Sequence, residues 1–322
     1  SELGFKDVHV VEEQAVQDGN FPTVKSPNPE GAEAYALSLE LAKKVGGELI
    51  LVTDPDADRL GMYGYDSKNN EYKEFTGNMF GAILCDYVLM QRSQSGRLPE
   101  NPAIVTTVVI TNMVKEICKK YDTFCDCNNL IGFKNIASRM RAYEQTGEHN
   151  YVFGLEDTFG CLPGTYCRDK DAVVASMALC EAAAYYKTQG KTLWDAMLDL
   201  YEKYGYYKDD VKAITLKGIE GLAKIQEIMT TLRDNTPAQI GEHKVLKARD
   251  YKKDTITDLE KGAVTPTGLP NSNVLYYELP DAAWVCFRPS GTEPKLKFYY
   301  GVKADSMEAA DAKAAELGAA VM

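Results

Sequence analysis

The sequence predicts an α/β protein: two mixed α/β/α sandwich domains followed by a smaller α+β domain with a largely antiparallel sheet. Three observations carry this. Short apolar runs alternate with amphipathic stretches from residue 8 to about 203, the pattern of sheets covered by helices. The alternation breaks once, at the polar and breaker-rich "QSGRLPENP" (94–102), and then restarts, which puts a boundary near residue 99. Beyond residue 207 the rhythm changes to apolar runs separated by short connections, the mark of antiparallel strands.

The elements follow in order. "VHVV" (8–11) reads as a short strand, and residues 28–46 as a helix opened by Pro29 and closed by Gly46 and Gly47. "LILV" (49–52) is a continuous apolar strand of the kind buried on both faces. Strands at about 60–65 and 71–75 precede a helix over 78–92. In the second block "AIVTTVVI" (103–110) is a strand, 112–121 a helix, "DTFCDC" (122–127) a strand, 135–147 a helix and "YVFGL" (151–155) a strand. A loop over 154–171 then leads to helices at 172–189 and 192–203. This alternation implies a parallel sheet in each block, with ligands beyond the carboxyl ends of the strands. In the last block a strand precedes a helix near 217–233, and the polar stretch 250–273 reads as a long loop. "VLYYEL", "AWVCF" and "KLKFYYGV" are strands, and an Ala-rich helix closes the chain.

Composition narrows the function classes. A net charge of −11 over 322 residues disfavours nucleic-acid binding, which needs a cationic face. A small phosphorylated substrate stays open, because a few cations in one cleft outweigh the mean field. Eight scattered cysteines, no secretory leader pattern and no long apolar span point to a reducing cytoplasmic setting without a membrane. Three histidines leave few candidates for histidine acid–base chemistry.

Four stretches can carry chemistry. In "TDPDADRLG" the carboxylates Asp54, Asp56 and Asp58 stand at alternate positions behind an apolar strand. At ~5 Å separations they repel by roughly 3 kcal/mol per pair at an effective dielectric of about 20, a repulsion that a bound Mg²⁺ converts into ligation. "RPSGTEPKLK" offers Arg288 as a planar fork, with Ser290, Gly291 and Thr292 presenting hydroxyls and backbone N–H groups to a phosphate. "GLEDTFG" and "CRDKDAV" flank one loop. There Glu156 and Thr158 suit vicinal sugar hydroxyls, and Arg168 with Lys170 suit a phosphate or a proton transfer.

Taken together, "SPNPEGAEA", "TDPDADRLG", "GFKNI", "GLEDTFG", "RDKDAVVAS" and "RPSGTEPKLKFYYGV" resemble the α-D-phosphohexomutase superfamily, in family order and over essentially the whole chain. The likeness is greatest to its bacterial phosphoglucomutase and phosphopentomutase-like branch. The resemblance implies that Asp54, Asp56 and Asp58 hold a catalytic Mg²⁺ and that Arg59 lies beside the transferring phosphoryl group. Glu156 and Thr158 would bind the sugar, and Arg288, Ser290, Gly291 and Thr292 would clamp the non-reacting phosphate. Lys170 stands where the phosphoglucomutases have a residue proposed for acid–base work, and Lys134 would face the cleft. The implied substrates are glucose 1-phosphate and glucose 6-phosphate, exchanged through glucose 1,6-bisphosphate. Residues 1–98 would form the second domain of the family, 99–206 the third and 207–322 the fourth.

Two departures bear on this. The sugar loop reads Glu156-Asp157-Thr158 where the family has Glu-Glu-Ser. No Thr-Ala-Ser-His-Asn-Pro-like loop with the family's phosphorylated serine occurs, and Ser26 in "SPNP" lacks the histidine and leads into a helix. No nucleophile is therefore expected in this sequence. It is expected to be a truncated product lacking the first domain, inactive alone, with that missing N-terminal domain as its partner. Two other readings remain open from the residues. One is a non-catalytic sugar-phosphate-binding module. The other is a haloacid-dehalogenase-like phosphatase with Asp54 as nucleophile and Asp56 as acid–base, which the third carboxylate, Asp58, disfavours.

Overall fold

The computed structural model describes residues 4–291 and 294–322, and the chain divides into two compact units. The first comprises 1–106, 117–126 and 132–200; the second comprises 107–116, 127–131 and 201–322.

In chain order the elements up to residue 94 are α1 (Glu12–Ala15), α2 (Ala36–Val45), β1 (Leu49–Thr53), β2 (Leu60–Asp66), β3 (Glu71–Phe75) and α3 (Gly77–Gln94). The expected strand at 8–11 does not form. Val8 and Val10 are 61% and 57% exposed, and a lone extended run without a partner leaves its backbone groups to water. The first sheet, in order β1-β2-β3, is antiparallel rather than parallel. Residues 54–59 alone join β1 to β2, and a parallel return needs a crossover of a dozen residues or more. Helix α2 ends on Gly46 in the left-handed region (φ 72°), as the glycine pair suggested, but it starts at Ala36 behind a 3-10 turn over Ala32–Tyr35 and not at Pro29. Ala34, Tyr35 and Ala42 pack with Ile50 of β1.

Next come β4 (Pro102–Thr106), α4 (Met113–Lys120), β5 (Phe124–Asp126), α5 (Phe133–Thr146), β6 (Asn150–Glu156), β7 (Gly160–Pro163), α6 (Ala172–Lys187) and α7 (Leu193–Tyr204). Their sheet has the order β5-β4-β6-β7, parallel except for β7. The reading of 154–171 as a loop thus misses β7, which turns back on β6 through residues 157–159. Helix α5 packs on β4 and β6, with Phe133, Ile136, Met140 and Tyr143 meeting Ala103, Val105, Tyr151 and Leu162.

The second unit is built on β8 (Tyr206–Thr215), α8 (Gly218–Asp234), β9 (Gln239–Ile240), β10 (His243–Lys244), β11 (Lys247–Asp250), β12 (Thr255–Asp258), β13 (Val264–Thr265), β14 (Leu275–Glu278), β15 (Trp284–Pro289), β16 (Lys295–Ala304) and α9 (Met307–Ala320). Seven strands form one antiparallel sheet, order β13-β12-β11-β14-β15-β16-β8. The 250–273 loop is a misreading: β13 lies at the sheet edge and is exposed, and β12 next to it is half-buried along its length, so no apolar periodicity marks them. Period-two alternation sends Val285, Phe287, Leu296, Phe298 and Tyr300 to one core. Trp284, Cys286 and Tyr299 go to the other face, where Val108 and Val109 cover them. That packing explains why "AIVTTVVI" stops being a strand at Thr106.

Candidate functional site

The aspartate motif is the turn between β1 and β2. Asp54 Oδ1 accepts hydrogen bonds from the backbone N–H groups of Asp58 and Arg59, both at 3.0 Å. The Ala57 N–H donates to Asp54 O at 3.1 Å, with Ala57 held in the left-handed region at φ 54°. Folded in this way, Asp54, Asp56 and Asp58 each present one carboxylate oxygen, all within 4.8 Å of one another. Three hard oxygen donors with no sulfur or imidazole suit Mg²⁺ or Mn²⁺. The Asp54 side chain is only 10% exposed.

Backbone bonds fix this turn to the segment 157–172. Leu60 N–H donates to Phe159 O at 2.8 Å, and Ala172 N–H donates to Ala57 O at 2.9 Å. Gly77, at the start of α3, lets the 157–159 turn come close: a Cβ there would sit 1.9 Å from Asp157 O. Asp171 caps α6, accepting from Val173 and Val174 N–H, so the residue before it is held at a defined place.

That residue is Lys170. Its Nζ lies 2.8 Å from Asp58 Oδ2, 3.5 Å from Glu156 Oε2 and 3.6 Å from Asp169 Oδ1. Its stem crosses Gly160, where a Cβ would meet Lys170 Cδ at 1.9 Å. Burial tends to lower the lysine's pKa, but Asp58, Glu156 and Asp169 outweigh it and the net direction is up. Burial likewise pushes Asp58 up, yet the Lys170 hydrogen bond and charge hold it below the usual carboxylate range. Asp54 moves up, chiefly through burial, with its carboxylate neighbours adding to the shift. Glu156, 4% exposed at the end of β6, is raised by burial, against Lys170 and the Gly132 N–H at the start of α5.

The other expected residues are distributed as follows. Arg59 Nη1 donates to Glu30 Oε1 at 3.2 Å, while its Nε lies 3.6 Å from both Asp54 and Asp58 carboxylates and is buried without a hydrogen-bond partner. Arg168 turns to α5: Nη2 donates to both Glu144 carboxylate oxygens at 2.7 Å, and Nη1 to Thr165 O at 3.1 Å. Thr158 is half-buried in the turn after β6, and Lys134 is exposed in the first turn of α5. In the second unit Arg288 lies on β15 directly opposite Lys297 of β16. The Ser290 N–H donates to Lys295 O at 2.8 Å, and a Cβ at Gly291 would meet no described atom within 4 Å. Thr292 lies outside the described residues.

The sequence reading missed Glu30, Glu144 and Gly160. Glu30 and Arg59 are 29 residues apart and Glu144 and Arg168 are 24 apart, so no spacing rule links them. A hint for Gly160 existed only in its position inside an apolar run, "FGCL".

The comparisons bear on the whole chain. The profile of phosphoglucomutase/phosphomannomutase, alpha/beta/alpha domain II, matches residues 1–67, and that of domain III matches 76–204. The chain belongs to the phosphoglucomutase/phosphomannomutase family. A phosphoglucomutase of Staphylococcus aureus (strain bovine RF122 / ET3-1) is 36% identical over 307 residues, 95% of this chain and 54% of the relative. One from Staphylococcus epidermidis is 34% identical, over 96% of this chain and 55% of the relative. The chain thus spans about half the length of the curated relatives it matches. The crystal structure of parafusin, a Paramecium phosphoglucomutase, matches with a TM-score of 0.60 and 17% identity, over 91% of this chain and 49% of that one. A putative phosphomannomutase from Thermus thermophilus gives 0.58 at 15% identity, over 92% and 51%. At these identities the two structures show the family fold. Among the described residues no helix is long and apolar enough to cross a membrane.

Proposed function

We propose that this chain supplies the metal cradle, sugar loop and phosphate clamp of a cytoplasmic phosphosugar mutase interconverting glucose 1-phosphate and glucose 6-phosphate through glucose 1,6-bisphosphate. One observation carries the reading: three carboxylates converge within 4.8 Å and are joined through Lys170 to the buried Glu156. Asp54, Asp56 and Asp58 hold Mg²⁺, which when bound offsets charge on the transferring phosphoryl group. Arg59, oriented by Glu30 and with its Nε 3.6 Å from the Asp54 and Asp58 carboxylates, brings its guanidinium to the edge of the cradle, beside that phosphoryl. Glu156 and Thr158 accept the sugar hydroxyls, and Lys170 holds or moves a proton at the reacting oxygen. Lys134 lies at the same end of α5 that donates to Glu156.

In this reading residues 1–98 carry the cradle, 99–206 the sugar loop and 207–322 the clamp. Arg288 faces Lys297 across the ladder, and two like charges directly opposite favour an anion between or beside them. With Ser290, Gly291 and Thr292 they receive the non-reacting phosphate. The open space at Gly291 supports this, since among the described residues no atom comes close enough to require a glycine there. The nucleophilic phosphoserine comes from polypeptide outside these 322 residues, because no family serine loop occurs within them. The Asp54 Oδ1 bonds to two backbone N–H groups favour a turn-building metal ligand over a phosphatase nucleophile.

The test is a coupled assay of glucose 1-phosphate conversion by the purified chain, alongside calorimetric titration with glucose 6-phosphate. Binding without turnover, abolished by Arg288→Ala, is expected. Robust turnover by the chain alone would overturn the assignment of the nucleophile elsewhere. Absence of glucose 6-phosphate binding would remove the clamp.

A further inference from the structure

We propose that Lys170 is a resident counter-ion of the aspartate cradle, in direct competition with the divalent cation for Asp58. The inference rests on the reading of Asp54, Asp56 and Asp58 as a cation cradle. It departs from that reading in giving the lysine a second task, performed when the metal is away.

The geometry is specific. Lys170 Nζ makes its shortest contact, 2.8 Å, with Asp58 Oδ2, an oxygen of the carboxylate cluster. Only 12% of the side chain is exposed, so water screens the ammonium weakly. The approach is prepared by the fold. The stem lies over Gly160, where a Cβ would meet it at 1.9 Å, and the backbone at Asp171 is fixed as the cap of α6. The lysine therefore supplies a positive charge to a cluster whose carboxylates otherwise repel one another.

A divalent cation arriving at Asp58 meets that ammonium at close range, and two cations sharing one carboxylate repel strongly. Lys170 has a second station ready, since Glu156 Oε2 is already 3.5 Å and Asp169 Oδ1 3.6 Å from its Nζ. Metal binding then moves the ammonium from Asp58 toward Glu156, the residue read as sugar-binding. Coupling of this kind is reciprocal: whatever draws Lys170 off Asp58 strengthens cation binding. The opposing view makes the lysine an orienting strut that holds Asp58 ready for the metal. It predicts the opposite sign when the lysine is removed.

Titration of the full 322-residue chain with Mn²⁺, followed by electron paramagnetic resonance of the free ion, decides between them. Lys170→Gln should tighten Mn²⁺ binding by about tenfold, within the usual range of site-to-site coupling. Gly160→Ala keeps the lysine but forces its stem aside, and should tighten binding by a smaller factor. Far-ultraviolet circular dichroism checks that both variants are folded. Equal or weaker binding in Lys170→Gln, with the unaltered chain binding Mn²⁺, would overturn the competition. Failure of every form to bind Mn²⁺ would instead remove the cradle reading, and the inference with it.

Discussion

Asp209 on β8 gives the second unit a pH dependence that can be worked through. It pairs with Gly301 of β16, which in turn pairs with Trp284 of β15. A Cβ at Gly301 would lie 2.3 Å from Asp209 Oδ1 and 2.4 Å from Trp284 Nε1, so both side chains fill the glycine's space. The residue as a whole is half-buried, but Oδ1 is sealed from solvent and has no hydrogen-bond partner. Burial pushes the carboxyl from 3.8 up to about 7, against the Thr111 hydroxyl, the Lys208 charge and the Trp284 indole. Between those two pH values the native state holds a proton that the unfolded chain has released. Stability therefore falls as pH rises through this window and levels off above it. The full cost of ionising Asp209 in the folded unit is about 4 kcal/mol, of which about 3 kcal/mol is lost between pH 5 and pH 8.

The assay uses the protein's two tryptophans. In a Trp194→Phe background Trp284 is the remaining tryptophan, and it sits beside the carboxyl. Urea unfolding followed by its emission at pH 5 and pH 8 should show the loss. Asp209→Asn should abolish it, leaving the variant more stable than its parent at pH 8 by up to about 4 kcal/mol. The same pH dependence in both proteins, or a less stable variant at pH 8, would refute the reasoning.

Three further outcomes are expected. Gly61→Ala places a Cβ 1.7 Å from the buried Tyr35 hydroxyl, which donates to Pro29 O at 2.7 Å. Overpacking and loss of that bond should cost about 2–4 kcal/mol in a urea melt, and at least about 1 kcal/mol less in a Tyr35→Phe background. Asp56→Ala removes an exposed carboxylate for which no partner is seen among the described residues, so stability should stay within about 0.5 kcal/mol. Mn²⁺ affinity should nonetheless drop at least about tenfold by calorimetry. Arg168→Ala breaks a half-exposed pair with Glu144, so its stability cost should stay below about 1 kcal/mol. Hydrogen exchange at the Lys170 and Asp171 amides should accelerate, because the loop loses its tie to α5.

What the sequence disclosed, and what it hid, follows from the range of the forces involved. Helices α2, α3 and α8 could be located because their periodicity is local, and Gly46 marked the end of α2, whereas Pro29 did not mark its start. The antiparallel course of β1–β3 is implicit in the six residues of the aspartate turn, too few for a parallel crossover, but the strand–helix alternation around them points the other way. Strands β12 and β13 were hidden because β13 at the sheet edge is exposed and β12 beside it is only half-buried, so neither shows an apolar face. In the site, the three carboxylates announced themselves by spacing. The partners that orient the cations, Glu30 for Arg59 and Glu144 for Arg168, are products of tertiary folding and leave no periodic trace. Arg168 illustrates the difference: its charge suggested a phosphate, and its donors are engaged by α5.

The two bonds that hold the aspartate turn, from Leu60 N–H to Phe159 O and from Ala172 N–H to Ala57 O, involve only main-chain atoms. Both acceptors belong to non-glycine residues in the left-handed region, with φ 61° and 54°. Their side chains contribute nothing to either bond. The two bonds therefore ask nothing of the side chains at 57 and 159, although the Phe159 ring is buried and is held there by packing instead. Glycine at position 57 would suit the backbone, at some cost in unfolded-chain entropy, whereas glycine at 159 would also empty the space of a buried phenyl ring. A library that varies 157 and 158 to change sugar preference would leave the cradle anchored, because its attachment is written in conformation and not in residue identity.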